Sequence, residues 1–250
     1  MRGPLPRGRP HAFVPTPPTA SPARGPHEGM HMVPELTTQD LVDAFGDEDV
    51  RRFGDGELPT EVVHTVTRRF LTTVGIPTDL KSSFLSLAKF EPLPETHARE
   101  SAAGHWTWDL PDDAKKCFVL GGFFGGDVAL DGADGKVFFI PDGDVLPQPM
   151  HSGIDALAYF MYALQRDTHY YSQEYAEQID ADPDDERDAD DVLMETAVRL
   201  ARELMEVDRT PFTVGELPPY EIGSGEDPFT GDFAGPWTGA FMDISAGEWD

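Results

Sequence analysis

The stretch from Cys117 to Ile140 constrains the fold more than any other part of the chain. Three short runs rich in Val, Phe and Ile are separated by Gly/Asp clusters, which predicts antiparallel strands near 116–121, 126–131 and 136–141. The first gap, Gly122 to Gly125, offers glycines free to take positive φ, and the second, Gly132 to Gly135, contains an Asp-Gly step suited to a turn. In the middle run Asp127, Ala129 and Asp131 alternate with Val128 and Leu130, so one dry face and one wet face are expected. That pattern suits a sheet covered by helices on a single side. A three-stranded meander is too small to stand alone and requires more strands or a helical layer.

Flanking segments supply that layer. Thr38 is placed to cap a short helix, Gln39 to Phe45, that Gly46 ends. Pro59 and Thr60 open a longer helix to about Val74, with Val62, Val63, Val66, Phe70, Leu71 and Val74 on one stripe. His64 lies beside that stripe with Arg68 at i+4, so it reads as a boundary residue and not a metal ligand. A strand is expected over Leu85 to Pro92, then a loop, then an alternating strand at His105-Trp106-Thr107-Trp108. Ser152 should cap an almost continuously apolar helix, Ile154 to Arg166, packed on the sheet. A further amphipathic helix spans about Asp190 to Val207, and Pro236 to Ser245 forms a last one. The expected class is α+β: an antiparallel central sheet covered by helices, in one domain over 36–250.

Residues 1–35 carry nine prolines and four arginines, a composition that cannot bury enough apolar surface to offset ordering entropy. A disordered arm is expected there, with Met30 and Met32 as alternative translation starts to Met1. Charge then narrows the partners. Forty-six acidic side chains face 19 basic ones, for a net of −27, a field that disfavours nucleic-acid phosphates and anionic lipid and favours a basic protein. Ten acids and one arginine between Glu174 and Asp191 form an acidic insertion too charged to pack. The single cysteine, Cys117, excludes an internal disulfide, which suits a reducing compartment; no run approaches membrane-span length and residues 1–30 show no secretory signal. A cytoplasmic location is expected.

No convincing catalytic set emerges. Asp180, Asp182 and Asp184 with Asp191 at the twelfth place have the alternation of a calcium loop, but Asp185 stands where that loop needs glycine and Pro183 stiffens it. Asp127 and Asp131 share a strand face, with nothing in the sequence to split their pKa values as an acid and a base require. The glycines around 121–126 lack the Lys-Ser/Thr ending of a phosphate loop. Cys117 has no histidine or asparagine pattern that would activate it. Neither a cofactor nor a metal is expected.

The order of elements resembles the SUKH superfamily, most of all its fourth branch, immunity proteins of actinobacterial type. The similarity lies in Leu41-Val42-Asp43-Ala44-Phe45-Gly46, Leu58-Pro59, Thr67-Arg68-Arg69-Phe70-Leu71 and Val74-Gly75-Ile76-Pro77. It continues through the meander, with Leu120-Gly121 to Gly126, Val128, Leu130-Asp131 and Gly135-Lys136-Val137, to the helix after Ser152 and the segment from Asp227-Pro228 to Trp237. At the start of that helix the chain has His151-Ser152-Gly153 where the branch usually shows an Asn-Ser-Ser-like sequence. The resemblance implies a non-enzymatic binder that neutralises a polymorphic toxin, often a nuclease or nucleic-acid deaminase, in a toxin–antitoxin pairing. Such a toxin grips phosphates and is basic, which agrees with the charge. The expected contact surface is the run Asp180, Asp182, Asp184, Asp185, Glu186 and Asp188 together with Asp127, Asp131 and Asp134, anchored by exposed aromatics among Phe123, Phe124, Trp106 and Trp108. A regulatory interaction module of the same superfamily, unlinked to any toxin, predicts a binder equally well; a hydrolase or metal enzyme using the acids is the third class.

Overall fold

A computed structural model describes residues 33–54, 56–80, 84–87, 89–181, 187–213, 217, 228–229, 233 and 235–249. The expected disordered arm lies outside this set for residues 1–32, as do Asp182, Asp184, Asp185 and Glu186 of the acidic run.

The chain opens with α1 (Thr38–Phe45), a 3₁₀ turn and β1 (Val50–Arg51). Thr37, one residue earlier than expected, caps α1 in a reciprocal box with Asp40, whose carboxylate accepts from the Thr37 amide at 2.8 Å. Thr38 instead donates its hydroxyl to the carbonyls of Thr73 and Val74. Those carbonyls close α2 (Thr65–Thr73), which starts six residues later than its sequence pattern suggests. The amides of Val63 and His64 are drawn away to the Gly132 carbonyl at 2.8 and 3.0 Å, so a contact with a distant turn outcompetes the first helical turn. Of the predicted stripe, Val62 and Leu71 are buried, whereas Val63 and Val66 are both 56% exposed.

Next come β2 (Ile76–Pro77), which pairs with β1, and β3 (Asp79–Leu80), β4 (Leu85–Ser86) and β5 (Glu91–Pro92). Helix α3 (Leu93–Ala103) occupies the segment expected to be a loop; Gly104 ends it in the left-handed conformation. The meander follows as β6 (Cys117–Phe123), β7 (Gly126–Asp131) and β8 (Val137–Pro141), close to the predicted bounds, and then β9 (Gln148–His151). These form an antiparallel seven-stranded sheet of order β3-β4-β6-β7-β8-β9, with β5 also paired to β6. The fold is therefore α+β, as expected.

The single strand expected over 85–92 is divided in two. A bulge in β6 between Val119 and Gly121 breaks the ladder, leaving β4 against Gly122 and Phe123 and β5 against Phe118 and Val119. At Gly121 a side-chain carbon would overlap the Ser86 carbonyl, so only glycine lets the two strands meet.

Helix α4 (Ile154–Asp167) buries Leu157, Phe160, Met161 and Leu164 in the main core with Leu120, Phe123, Val128, Leu130 and Val137 of the sheet. Its N-cap is Gly153, not the expected Ser152, whose amide is committed elsewhere. After another 3₁₀ turn come α5 (Gln173–Ala181), α6 (Ala189–Val207) and α7 (Thr238–Ser245). Helix α5 corrects the view that the acidic run is too charged to pack: Ser172 accepts from the Tyr175 amide at 3.2 Å and Ile179 is buried.

The opposite sheet face is not wet, as alternation in β7 alone implied. Val119, Ala129 and Ile140 lie there under Leu93 of α3, Ala114, Trp106 and Trp108. The residues 105–108 form no strand; Trp106 makes an isolated parallel bridge to Gly143, and both indoles turn inward over this second core. No helix among the described residues is long and apolar enough to cross a membrane.

Gly121→Ala is expected to lower stability by about 3 kcal/mol, because backbone on both strands must move apart. Gly122→Ala, with open space at the same carbon, should stay within about 0.5 kcal/mol. Urea midpoints of the two variants against wild type check the contrast.

Candidate functional site

The expected contact residues divide among three places. Asp131 and Asp134 build the β7–β8 turn. Asp131 Oδ1 accepts from the Ala133 amide at 2.7 Å, and Asp134 Oδ1 accepts from the Lys136 amide at 3.0 Å while its other oxygen pairs with Lys136 Nζ at 2.6 Å. Asp127 sits farther along β7 on the second face, about 13 Å from Asp131 at ordinary strand rise, so the two cannot work as a dyad. Burial raises the Asp127 carboxyl above the usual carboxylate range; Glu100 and Asp142 add to the shift, while Lys89 and Arg99 oppose it.

Asp180 and Asp188 lie where α5 hands over to α6. Asp188 caps α6 through the Asp191 amide at 2.8 Å, and Asp180 accepts from the Ala189 amide at 3.0 Å, so both anions face the positive end of that helix. Glu174, Glu177 and Asp190 are exposed around them. Between the two helices runs a groove of about 850 Å³ lined by Tyr175, Val192 and Val198 with Arg199, Arg202 and Glu203. It is mixed in sign. Arg199 pairs with Asp167 at 2.7 Å, and Arg166 clamps Asp167 and Glu203 together, which ties α4 to α6. The acid excess of this hairpin therefore belongs to α5 and the start of α6.

The aromatics part company. Trp106, Trp108 and Phe123 are 1%, 7% and 5% exposed, so burial removes all three from the expected anchor set. Phe124 remains, 70% exposed at the β6–β7 turn and stacked on Phe84 with ring centroids 5.9 Å apart and planes 5° from parallel. Phe84 in turn meets Trp249 edge-on at 4.8 Å and Phe123 at 5.0 Å.

Sequence reading missed the most concentrated polar cluster. His151 is fully enclosed at the end of β9; its Nδ1 lies 3.1 Å from Asp208 Oδ2, and its Nε2 accepts from the Trp237 indole N–H at 2.9 Å. The indole contact fixes the proton on Nδ1 and leaves the ring neutral. Burial holds the imidazole pKa below its usual value, outweighing the Asp208 carboxylate. Burial alone would raise Asp208, but hydrogen bonds from His151 and from the Thr210 and Ser152 amides overcome it and bring it down to about 2. Asp208 and Trp237 lie 57 and 86 residues from His151, so no local pattern announces them. With all its polar atoms engaged inside the core, the cluster joins β9, the end of α6 and the start of α7; it does not face a substrate. Cys117 offers no nucleophile either, since burial, with Asp131 next, pushes its thiol up to about 12. Among the described residues no group of three or more His, Cys, Asp or Glu side chains is arranged to hold a metal ion.

Asp208→Ala strands the buried His151 Nδ1–H and removes the acceptor of the Ser152 and Thr210 amides, and should cost about 2–4 kcal/mol, read from urea midpoints. Acid should loosen the same cluster. The unfolded chain protonates His151 below about pH 6.5 while the folded ring stays neutral, and Asp208 loses its contribution as pH falls from about 4 toward 2. The stability difference between wild type and His151→Gln, read from urea midpoints, should accordingly shrink as pH falls from 7.5 to 5. Native Cys117 should react with a disulfide reagent at pH 8 far more slowly than the urea-unfolded chain, followed by absorbance.

Comparison with the curated proteins gives no match, and neither does comparison with the solved structures. A family model does match, over residues 36–220, and its description is SUKH-4 immunity protein. That span takes in the capped α1, the meander, the second core, α4 and the α5–α6 hairpin, and on that match the chain belongs to the SUKH-4 immunity protein family.

Proposed function

We propose that this immunity-family protein binds a basic polymorphic toxin, a nuclease or nucleic-acid deaminase, and neutralises it by covering the surface that would grip nucleic acid. The net charge of −27 carries the reading. The first 35 residues hold four arginines against two glutamates, so the folded remainder is more acidic than the whole chain. A surface of that sign raises the encounter rate with a cationic partner and repels the phosphates that the partner would otherwise bind.

Steering falls to the exposed acids of α5 and the start of α6, which include Asp180 and Asp188 of the expected set, with Asp127 and Asp134 at the sheet contributing to the same field. The protein acts by occupancy and carries out no chemistry. Three features support this: the separation of Asp127 from Asp131, the raised thiol of Cys117, and the internal commitment of His151 and Asp208. No cofactor enters this reading, and the protein works in the cytoplasm, where its single thiol stays reduced.

Stopped-flow association with the cognate toxin domain should slow by about 10-fold or more between 50 mM and 500 mM salt. Asp180→Asn, Asp188→Asn and Asp190→Asn combined should slow it further at low salt, because asparagine keeps the helix caps and removes the charge. A rate indifferent to both salt and these replacements would overturn the reading.

A further inference from the structure

The strand connections at one end of the sheet gather a surface unlike the rest of the molecule. Phe124 crowns the β6–β7 turn, where Gly125 takes a φ of +77° and its carbonyl accepts from the Asp142 amide at 3.0 Å. That bond brings the β8–β9 connection alongside, with Val145 and Leu146 43% and 52% exposed. On the other flank Gly239 of α7 lies against the Phe124 ring, and Met242, one turn along the same helical face, is 43% exposed. Four of the seven large apolar side chains that stand exposed among the described residues thus occur at this end. Val63 and Val66 sit by the β7–β8 turn at the other end, through the bonds from Val63 and His64 to Gly132.

We infer that this end of the sheet is the docking face for the basic toxin, with Phe124 as the apolar anchor and the acids around it as the ring that selects a cationic partner. The inference rests on the function proposed above and adds where contact is made.

Two observations assign the occupant. Phe124 is held ready: its stack on Phe84, itself wedged against Trp249 and Phe123, restricts the ring before any partner arrives, so little side-chain entropy remains to be lost on binding. The segments that carry the patch have charge of one sign only, and Lys89 and Arg99 lie beyond them, near Asp127. Asp142, Asp243 and Glu248 border the patch, and no Lys or Arg occurs over residues 122–126, 141–148 or 238–249. Burial and the adjacent Glu248 raise the Asp243 carboxyl above its ordinary range, a strain that an incoming cation would relieve. A second copy of this chain would bring the same acids against these, so self-association is disfavoured and a cationic protein is favoured. The arrangement follows the division common to tight complexes, in which a central aromatic holds the complex and peripheral charge governs approach.

The test uses the full chain and, as probe, the protein encoded by the adjoining reading frame, purified as an inactive variant. Phe124→Ser and Leu146→Ser should each weaken binding by about 30-fold or more, chiefly through faster dissociation, while Val66→Ser at the far end changes nothing. All three positions are exposed, so unaltered circular dichroism and urea midpoints should accompany the loss. If a basic probe binds Phe124→Ser and Leu146→Ser as tightly as wild type, the docking face is wrong and the proposed function stands. If the probe is not basic or does not bind the wild-type chain, the proposed function fails and the docking face fails with it. Sedimentation showing a wild-type dimer that Phe124→Ser dissolves would instead assign the face to a second copy and overturn the inference.

Discussion

Water has to be excluded from both faces of the β6–β7–β8 meander, because Val128 and Leu130 project from one side and Val119, Ala129 and Ile140 from the other. Most of the remaining architecture answers that demand. Helix α4, buried along most of its length, closes the first face and is itself covered by α6. The second face is narrower and is closed by α3 and by two indoles on a strand-like connection. The small Ala129 leaves room for that layer to settle directly on the strands. A sheet wet on one side would have needed neither α3 nor the inward turn of Trp106 and Trp108.

An excess of 27 negative charges opposes compaction, and the structure limits the damage by using many acids locally. Asp40, Asp180 and Asp188 accept from amides at helix starts, Asp131 and Asp134 from amides in a turn, and Asp208 from the core. Each removes an unsatisfied donor while placing a negative charge where backbone dipoles welcome it. Where carboxylates approach one another across helices, arginine intervenes, as Arg166 and Arg199 do around Asp167 and Glu203. Most of the acids left over among the described residues are exposed, and they add to the protein's field.

Steering and anchoring need not coincide. A field acts over roughly a Debye length, about 10 Å at 0.1 M salt, so acids on α5 and α6 can guide a cationic partner without touching it. Short-range burial requires a fixed apolar group with little freedom to lose, and the stacked Phe124 has that character. The separation makes distinct demands on the sequence: composition suffices for the first, a particular fold is needed for the second.

The meander, the apolar helix after residue 153 and the amphipathic helix ending at Val207 were legible from the chain alone, since each is specified by its own periodicity and the meander also by glycines at its turns. So was the sign of the protein's own field, because net charge does not depend on how residues are arranged. Helix α3 left weaker traces, in helix-favouring Glu, Ala and Arg after Pro94 and in Gly104, and α5 in the spacing of Ser172, Tyr175 and Ile179 beneath its charge. Tertiary contact decided the rest. It moved the start of α2 by lending Val63 and His64 to Gly132, split one strand at the β6 bulge, and drew His151, Asp208 and Trp237 together. Among four aromatics alike in sequence, it buried Phe123, Trp106 and Trp108 and left Phe124 at the surface. Local spacing can say which residues share a strand face or helix stripe, but whether that face meets solvent or another layer depends on segments far away in the chain, and only packing brings those together.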